Sequence, residues 1–319
     1  MLSIIYNYLM LYVIIPCAVV ALLLILFTIF AVRLGRIFYH VSFDRRKNDA
    51  TFAEDENPED KKKPSRVWFS NQKCEELEVV SKDGLKLKGY LLNNHSNKLA
   101  IVLHGYRGRY YSNTTQAKIF FEHGYDVLLP NNRAHDTSEG DQFSMGPKEV
   151  DDVLRWINLM VKRNPNYEIV LMGISMGGHI TMMTVSNKNL PNNVKCFIED
   201  CGYNHLREMM RFEVGVRQHM KAPKFITWCG ETYCAIFHGF SFNDNASKAL
   251  KKCQIPGCFI HGDRDDYVPF ENLEKNYNSL SDNLYKEKVV FKGAGHNQAM
   301  FQLDKYEETL INFVNRFIK

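Results

Sequence analysis

Between residue 77 and the C-terminus, short apolar runs alternate with stretches of helical spacing, and this alternation most limits the fold. The strand-like runs are Leu77–Ser81, Leu85–Leu92, 99-LAIVLHG-105, 125-YDVLLPN-131, 168-EIVLMGIS-175, 194-VKCFIEDCG-202, 257-GCFIHGD-263 and 287-EKVVFKGAGH-296. Continuous apolar runs suit strands that are buried on both faces of a parallel sheet. The pattern therefore predicts an α/β fold, an open and mostly parallel sheet with helices on both faces, whose chemistry collects at the carboxyl ends of the strands.

One interval, residues 204–250, is too long for a simple connection between two strands. It is rich in aromatic residues, namely Phe212, Phe225, Trp228, Tyr233, Phe237, Phe240 and Phe242. Two interpretations remain open: a helical lid over the strand ends, or an extra pair of packing helices.

The N-terminal segment from Tyr8 to Val32 carries no charged residue. As a helix it would measure about 37 Å, enough to cross a bilayer with some tilt. A cleaved signal peptide would have Lys or Arg before a shorter apolar core, and a buried core helix would be shorter. We therefore predict a transmembrane anchor over residues 1–33, a charged juxtamembrane linker over 34–66 and one large domain over 67–319.

Charges beside the apolar segment predict its orientation. Arg33, Arg36, Arg45, Arg46 and Lys47 follow the segment, whereas no Lys or Arg precedes it. Positive charge stays on the cytoplasmic side, so a single-pass protein of the cell membrane with a cytoplasmic domain is expected. Eight cysteines without a CxxC pair fit a reducing compartment and give no support for a metal site. A net charge of only +4 gives no case for nucleic-acid binding.

The motif 173-GISMG-177 lies directly after a predicted strand and directly before a predicted helix. A serine on such a tight turn has its hydroxyl held clear of the backbone, and the glycines leave room for the turn. An ordinary turn is the alternative, but the strand and helix on either side favour Ser175 as a nucleophile. A hydroxyl also needs a base to take its proton.

His296 in 293-GAGH-296 follows the last predicted strand and is the candidate base. The histidine in turn needs a carboxylate to fix its tautomer. Asp263, Asp265 and Asp266 crowd the turn 261-HGDRDDYVPF-270, and spacing alone does not choose among them. Asp200, which ends an earlier strand, is an alternative acid.

Donors for an oxyanion are expected from two turns. The run 103-LHGYRG-108 ends another strand, so the backbone N–H groups of Tyr106 and Met176 are candidates. We expect His104 and His135 to order their loops, and Cys201 to be a core residue.

The runs HGYRG, NNRAHDTSEG, GISMGG, HGDRDDYVP and GAGH, in the order Ser175, Asp265, His296, resemble the α/β-hydrolase superfamily. The chain is especially similar to membrane-anchored bacterial serine hydrolases related to the prolyl-oligopeptidase-like and Bem46-like branches. The resemblance implies an eight-stranded sheet, a lid after the sixth strand and no cofactor, and its H-G-x-x-D-x-x-V-P register selects Asp265. His135-Asp136 departs from the His-Gly pair of many relatives.

The activity that this resemblance implies is hydrolysis through an acyl-enzyme. The anchor and the aromatic 204–250 interval suggest a hydrophobic acyl ester or thioester as the substrate. Two alternatives to this activity remain: a serine peptidase, and a non-catalytic scaffold of the same fold.

Overall fold

The computed structural model describes residues 2–45 and 63–319. The helices are α1 Leu2–Leu9, α2 Ile15–Ser42, α3 Lys63–Ser70, α4 Thr114–Glu122, α5 Glu149–Arg163, α6 Met176–Val185, α7 Leu206–Phe212, α8 Pro223–His238, α9 Ala246–Leu250, α10 Glu271–Ser279 and α11 Leu303–Val314. The strands are β1 Cys74–Val80, β2 Lys86–Leu92, β3 Lys98–Leu103, β4 Asp126–Pro130, β5 Glu168–Ile174, β6 Val194–Asp200, β7 Gly257–Gly262 and β8 Lys286–Phe291.

A single eight-stranded sheet with the order β1-β2-β4-β3-β5-β6-β7-β8 organises the fold. β1 pairs with β2, and β2 with β4, in antiparallel fashion, while the strands from β4 to β8 are all parallel. Asp83-Gly84 forms the β1–β2 hairpin turn. The predicted mostly parallel sheet is therefore confirmed, and its antiparallel part is confined to one edge.

Alternate residues of the central strands point to the two faces of the sheet. In β3, Leu99 and Ile101 join the apolar core that contains α5 and α6, whereas Ala100 and Val102 join the core that contains α4 and α11. Because both faces are covered, β3 and β5 are apolar at every position after the first, as their sequences indicated.

The N-terminal apolar segment forms one long helix. A π-helical turn at Met10–Ile14 leads into α2, and the 33 residues Met10–Ser42 are long and apolar enough to span a membrane. The helix extends nine residues into the segment predicted as a linker, 34–66, because Leu34, Phe38 and Tyr39 pack against the domain. Residues 46–62, with Arg46 and Lys47, lie outside the described residues.

The interval 204–250, here called the insertion, lies between β6 and β7 and contains α7, α8 and α9. α8 runs alongside α2 at very short range. A Cβ atom on Gly35 would overlap the Cys229 carbonyl, and one on Gly230 would overlap the Phe38 ring. The insertion thus packs both on the domain and on the apolar N-terminal helix.

Candidate active site

Ser175 occupies a strained turn between β5 and α6. Its backbone angles are φ 57° and ψ −116°, which a residue with a Cβ atom adopts only at a cost in free energy. A Cβ on Gly173 would overlap the backbone of Gly177, and a Cβ on Gly177 would overlap the Leu103 carbonyl. Both motif glycines are therefore required by close backbone approach, and the turn lifts the serine hydroxyl above the sheet.

The structure brings Ser175, His296 and Asp265 together. His296 Nε2 lies 2.9 Å from Ser175 Oγ, and His296 Nδ1 lies 2.7 Å from Asp265 Oδ2. The three residues follow β5, β8 and β7, which end at the same edge of the sheet. With the Nδ1 proton facing the carboxylate, Nε2 is free of a proton and accepts a hydrogen bond from the serine hydroxyl.

Asp265 differs from its two neighbours in burial and in partners. Asp265 is 8% exposed, whereas Asp263 and Asp266 are exposed. Asp265 Oδ1 accepts hydrogen bonds from the backbone N–H groups of Tyr267 at 2.9 Å and Val268 at 2.8 Å. Burial alone would raise its pKa, but hydrogen bonds from two histidines hold the pKa of Asp265 well below its usual range. Asp265 is thus a fixed anion beside His296.

The second of these histidines, His261, was not singled out from the sequence. It is fully buried at the end of β7, with Nε2 3.1 Å from Asp265 Oδ2 and 3.1 Å from the Val268 carbonyl oxygen. Burial alone would lower its pKa, but the hydrogen bond to Asp265, the nearby carboxylates of Glu199 and Asp265, and the Val268 carbonyl oxygen together raise the pKa of His261. The sequence feature that could have indicated His261 is its place at the start of the HGDRDD run, four residues before Asp265.

The alternative acid, Asp200, ends β6 and bonds to residues other than His296. Its carboxylate accepts a hydrogen bond from the Tyr306 hydroxyl at 2.7 Å, and its backbone oxygen accepts one from Ser175 N at 2.8 Å. Burial raises the pKa of Asp200 to about 6. Its contacts support the serine turn, so the geometry favours Asp265 as the partner of His296.

Cys201 is buried, as expected for a core residue, but it lies closer to the candidate site than its sequence position indicated. Its Sγ, a nitrogen of His296 and a carboxylate oxygen of Asp265 all lie within 4.8 Å of one another. Burial raises the pKa of Cys201 well above its usual value, which keeps the thiol protonated. In this state it acts as an apolar packing group beside Asp265.

The candidate oxyanion turn, residues 104–108, lies against Ser175. A Cβ on Gly105 would lie 3.3 Å from the Ser175 Cβ, so the two turns are in contact. His104 Nδ1 lies 2.8 Å from the Gly105 carbonyl oxygen, and His104 Nε2 accepts the Asn132 N–H at 3.0 Å. Burial lowers the pKa of His104 to about 3, which keeps the ring neutral. His104 therefore orders the turn that carries Tyr106.

Met176, the other candidate donor, is the first residue of α6. The first N–H groups of a helix have no partner within the helix and attract negative charge. The backbone of Met176 thus begins the helix directly beside Ser175, where an oxyanion would form.

The loop after β4 explains the departure at His135-Asp136. Asp136 has a φ of 47°, in the left-handed region where glycine is favoured, and its carboxylate accepts a hydrogen bond from Asn131 Nδ2 at 3.1 Å. His135 Nδ1 lies 2.8 Å from the Arg133 carbonyl oxygen. Both residues order their own loop and do not contact Ser175, Asp265 or His296 through these bonds.

A cavity of about 420 Å³ opens above Ser175. Its floor includes Ser175 and Met176, and one side is formed by methionines of the insertion, such as Met209 and Met210. Another part of the lining comes from α2, with Leu34, Ile37, Phe38, Val41 and Ser42. Sequence reasoning missed this contribution, because no local pattern in an apolar helix indicates that its end packs over a distant serine.

A family model described as alpha/beta hydrolase fold matches residues 100–250. This range holds Ser175 and the candidate oxyanion turn, and ends before Asp265 and His296. Among curated proteins, the chain is similar to the uncharacterized protein YqkD of Bacillus subtilis, with 25% identity over 255 residues, 77% of this chain and 81% of that protein. It is also similar to the uncharacterized peptidase YuxL of Bacillus subtilis, with 24% identity, 70% of this chain and 35% of that protein.

Solved structures show the same architecture. An esterase of Pyrococcus furiosus superposes with a TM-score of 0.63 at 20% identity, covering 81% of this chain and 94% of the esterase. The Pyrococcus horikoshii acylaminoacyl peptidase gives a TM-score of 0.59 at 17% identity, covering 79% of this chain and 43% of the peptidase. With the strand order, the serine turn and the family match, these likenesses establish that the chain has the α/β-hydrolase fold.

Proposed function

We propose that this protein is a membrane-anchored serine hydrolase that cleaves an acyl ester or thioester through Ser175, His296 and Asp265. The observation that carries the proposal is the continuous line of hydrogen bonds from Asp265 through His296 to Ser175 at the floor of the cavity. The family match and the esterase and peptidase neighbours support a hydrolase.

In the acylation step, Ser175 Oγ attacks the carbonyl carbon while His296 Nε2 takes the hydroxyl proton. The negative charge on the carbonyl oxygen is stabilised by the N–H groups of Tyr106 and Met176. His296 then gives its proton to the leaving oxygen or sulfur, and the alcohol or thiol departs, leaving the acyl group on Ser175. Asp265 stabilises the imidazolium throughout, because its depressed pKa keeps it ionised.

In the deacylation step, a water molecule takes the place of the leaving group. His296 Nε2 removes its proton as the water oxygen attacks the acyl carbon, and the same proton returns to Ser175 Oγ as the ester bond breaks. The carboxylic acid leaves and the enzyme is restored. No redox step and no second substrate besides water are needed.

An acyl substrate fits the cavity because its walls are mostly aliphatic, methionine and aromatic side chains. A serine peptidase is the second candidate, favoured by the likeness to the peptidases of Bacillus subtilis and Pyrococcus horikoshii. The acylaminoacyl peptidase is more than twice as long as the part that this chain covers, so its substrates do not transfer with the fold.

We also infer that α2 crosses the cell membrane and that the domain faces the cytoplasm. Support comes from the length and apolar surface of Met10–Ser42 and from Arg33 and Arg36 at its domain-side end. Protease added to intact cells should leave the domain uncut, and digestion from outside would reverse this orientation.

The test of catalysis is covalent labelling of the full-length protein by a fluorophosphonate. Wild-type protein should be labelled, and Ser175→Ala should lose labelling and about 10⁴-fold or more in ester turnover, because the nucleophile is absent. Asn312→Ala, an exposed substitution on α11, serves as the matched control. A folded wild-type protein that resists the probe would indicate the non-catalytic scaffold instead.

Substrate class is tested by comparing p-nitrophenyl acyl esters with aminoacyl-amide substrates. We expect esters to be cleaved faster, with kcat/KM rising with acyl length. A preference for the amides would establish the peptidase and exclude the esterase assignment.

A further inference from the structure

We propose that the substrate is a single-chain acyl ester that resides in the bilayer and enters the cavity along the domain-side end of α2. This inference rests on the proposed serine hydrolase function and adds to it a substrate class and a route of entry. It assigns to the anchor helix a role in substrate binding beyond attachment.

The first step is the length of the N-terminal helix. Its uncharged run ends at Val32, but α2 continues without a break to Ser42. Ten further residues correspond to about 15 Å of helix. The bilayer has a hydrocarbon core of about 30 Å, which the uncharged run already fills. The last turns of α2 therefore stand outside the hydrocarbon, between the membrane surface and the domain.

The second step is what these last turns contact. Leu34, Ile37, Phe38 and Val41 line the same cavity as Ser175. The end of the helix also touches the candidate oxyanion turn, because the Tyr106 hydroxyl donates a hydrogen bond to the Ser42 carbonyl oxygen at 3.2 Å. The membrane helix and the catalytic edge of the sheet thus form one continuous site.

The third step locates the mouth of the cavity. Ile37 and Val41 line the cavity and yet are 61% and 63% exposed, and Met220 of the insertion lines it at 46% exposed. Side chains that belong both to a cavity and to the outer surface mark its opening. The opening therefore lies beside α2, on the side from which the membrane helix emerges.

The fourth step places the insertion at the membrane. Phe225, near the start of α8, packs against Phe27 and Phe30 at ring distances of 5.9 and 6.4 Å, and both of these residues belong to the uncharged run. α8 also exposes Trp228 and Phe237, which are 50% and 57% exposed. Large apolar side chains beside a membrane helix indicate a surface that lipid covers.

Charge at the same end of α8 agrees with this placement. Lys221 precedes α8 and Lys224 lies in its first turn, and both are exposed. Lysine side chains extend toward anionic head groups when their stems lie against apolar surface. The mouth of the cavity therefore opens at head-group level, where the ester of a lipid lies.

The size of the cavity selects among lipids. A volume of about 420 Å³ is near the lower end of the range for ligand cavities, about 300–1,000 Å³. This favours a lipid with one acyl chain over a lipid with two. Its carbonyl would reach Ser175 while its chain lies along the apolar side chains of α2 and the insertion.

The test uses full-length protein in phosphatidylcholine vesicles that contain some phosphatidylglycerol. p-Nitrophenyl palmitate in the bilayer and p-nitrophenyl acetate in the water are compared by kcat/KM. Ile37→Trp and Val41→Trp, which narrow the mouth, should lower the palmitate-to-acetate ratio about tenfold. Ile29→Trp, at an exposed position of the same helix outside the cavity, should leave the ratio unchanged.

The outcomes separate the two proposals. Fluorophosphonate labelling of Ile37→Trp and Val41→Trp shows that they are folded with a reactive serine. If labelling and acetate hydrolysis depend on Ser175 but both variants keep the wild-type ratio, entry along α2 is refuted while the hydrolase stands. If the wild type neither reacts with the probe nor cleaves either ester, the proposed function itself fails, and this inference with it.

Discussion

The two walls of the cavity are built by different physical means. The sheet edge that carries Ser175, His296 and Asp265 is polar, buried and held by hydrogen bonds, such as those from Tyr267 and Val268 to Asp265. The wall formed by α2 and α8 is apolar and held by close helix packing at Gly35 and Gly230. Atoms at the first wall are fixed to within a hydrogen-bond length, whereas the second presents mainly aliphatic side chains such as Leu34, Ile37 and Ile226 to the cavity.

Under the proposed function, this difference separates the chemical step from the choice of substrate. A nucleophile, a base and an acid must keep fixed distances and directions, and strand ends provide such positions. An acyl chain has no polar group that must be oriented, so apolar side chains around a cavity of fitting volume are sufficient to bind it. We therefore expect substitutions at the sheet edge to abolish turnover, and substitutions between α2 and α8 to change which substrates are used.

The largest effect in the acidic turn is expected for Asp265→Asn, with a loss of about 10⁴-fold in kcat for esters. The Asn oxygen can still accept the Tyr267 and Val268 N–H groups, which directs the amide N–H₂ toward His296. Nδ1 must then accept, the ring proton moves to Nε2, and the base for Ser175 is lost. Ester turnover of purified protein measures this effect.

Asp263→Asn and Asp266→Asn are the matched controls. Both residues are exposed, and Asp263 Oδ1 accepts the Gly293 N–H at 2.6 Å, which an Asn oxygen can also do. Each should cost less than about tenfold in turnover. Equal losses at all three positions would show that the shape of the loop matters and that no single carboxylate does.

Gly35→Leu should reduce turnover less than Asp265→Asn does, but it should change the preference for acyl-chain length more. The new side chain would collide with Cys229 and Tyr233, so α8 must move away from α2. We expect faster proteolysis of the insertion and a reduced preference for long acyl chains. Ala235→Leu, at an exposed position of α8, is the control. Unchanged proteolysis and chain-length preference in Gly35→Leu would show that the α2–α8 contact does not shape the cavity.

The same contrast explains what the sequence could and could not predict. The sheet was predictable because β3 and β5 are apolar at every position after the first. The position of Ser175 was predictable because its glycines are required by close backbone contact. Spacing left the three aspartates equivalent, since burial of Asp265 depends on β8 and on His261. The packing of Gly35 on Cys229 joins residues almost two hundred positions apart, and no local pattern encodes it.

The smallest expected effect is on the free energy of unfolding. It tests whether the buried Glu199 carboxyl at the sheet edge carries a charge in the folded protein. Glu199 is the penultimate residue of β6. It is fully buried, and its carboxylate accepts a hydrogen bond from the Gly202 N–H at 2.8 Å. Burial raises the pKa of Glu199 to about 7, whereas a glutamate in an unfolded chain titrates near 4.3. The folded protein therefore binds more protons than the unfolded chain between these values, and the free energy of unfolding falls as pH rises through this window.

Glu199→Gln removes this titration. Between about pH 5 and pH 8, the decline in the free energy of unfolding should shrink by on the order of 1–3 kcal/mol, measured by urea unfolding of the full chain in detergent. Part of the decline should remain, because the pKa of Asp200 is raised to about 6 and that of His261 is also raised, and both act in the same direction. The exposed Asp266→Asn should leave the profile unchanged. The difference between the two profiles isolates Glu199, because the buried histidines with lowered pKa values, such as His104, contribute equally to both proteins. Identical profiles of the wild type and Glu199→Gln would mean that Glu199 is ionised in the folded protein throughout this window.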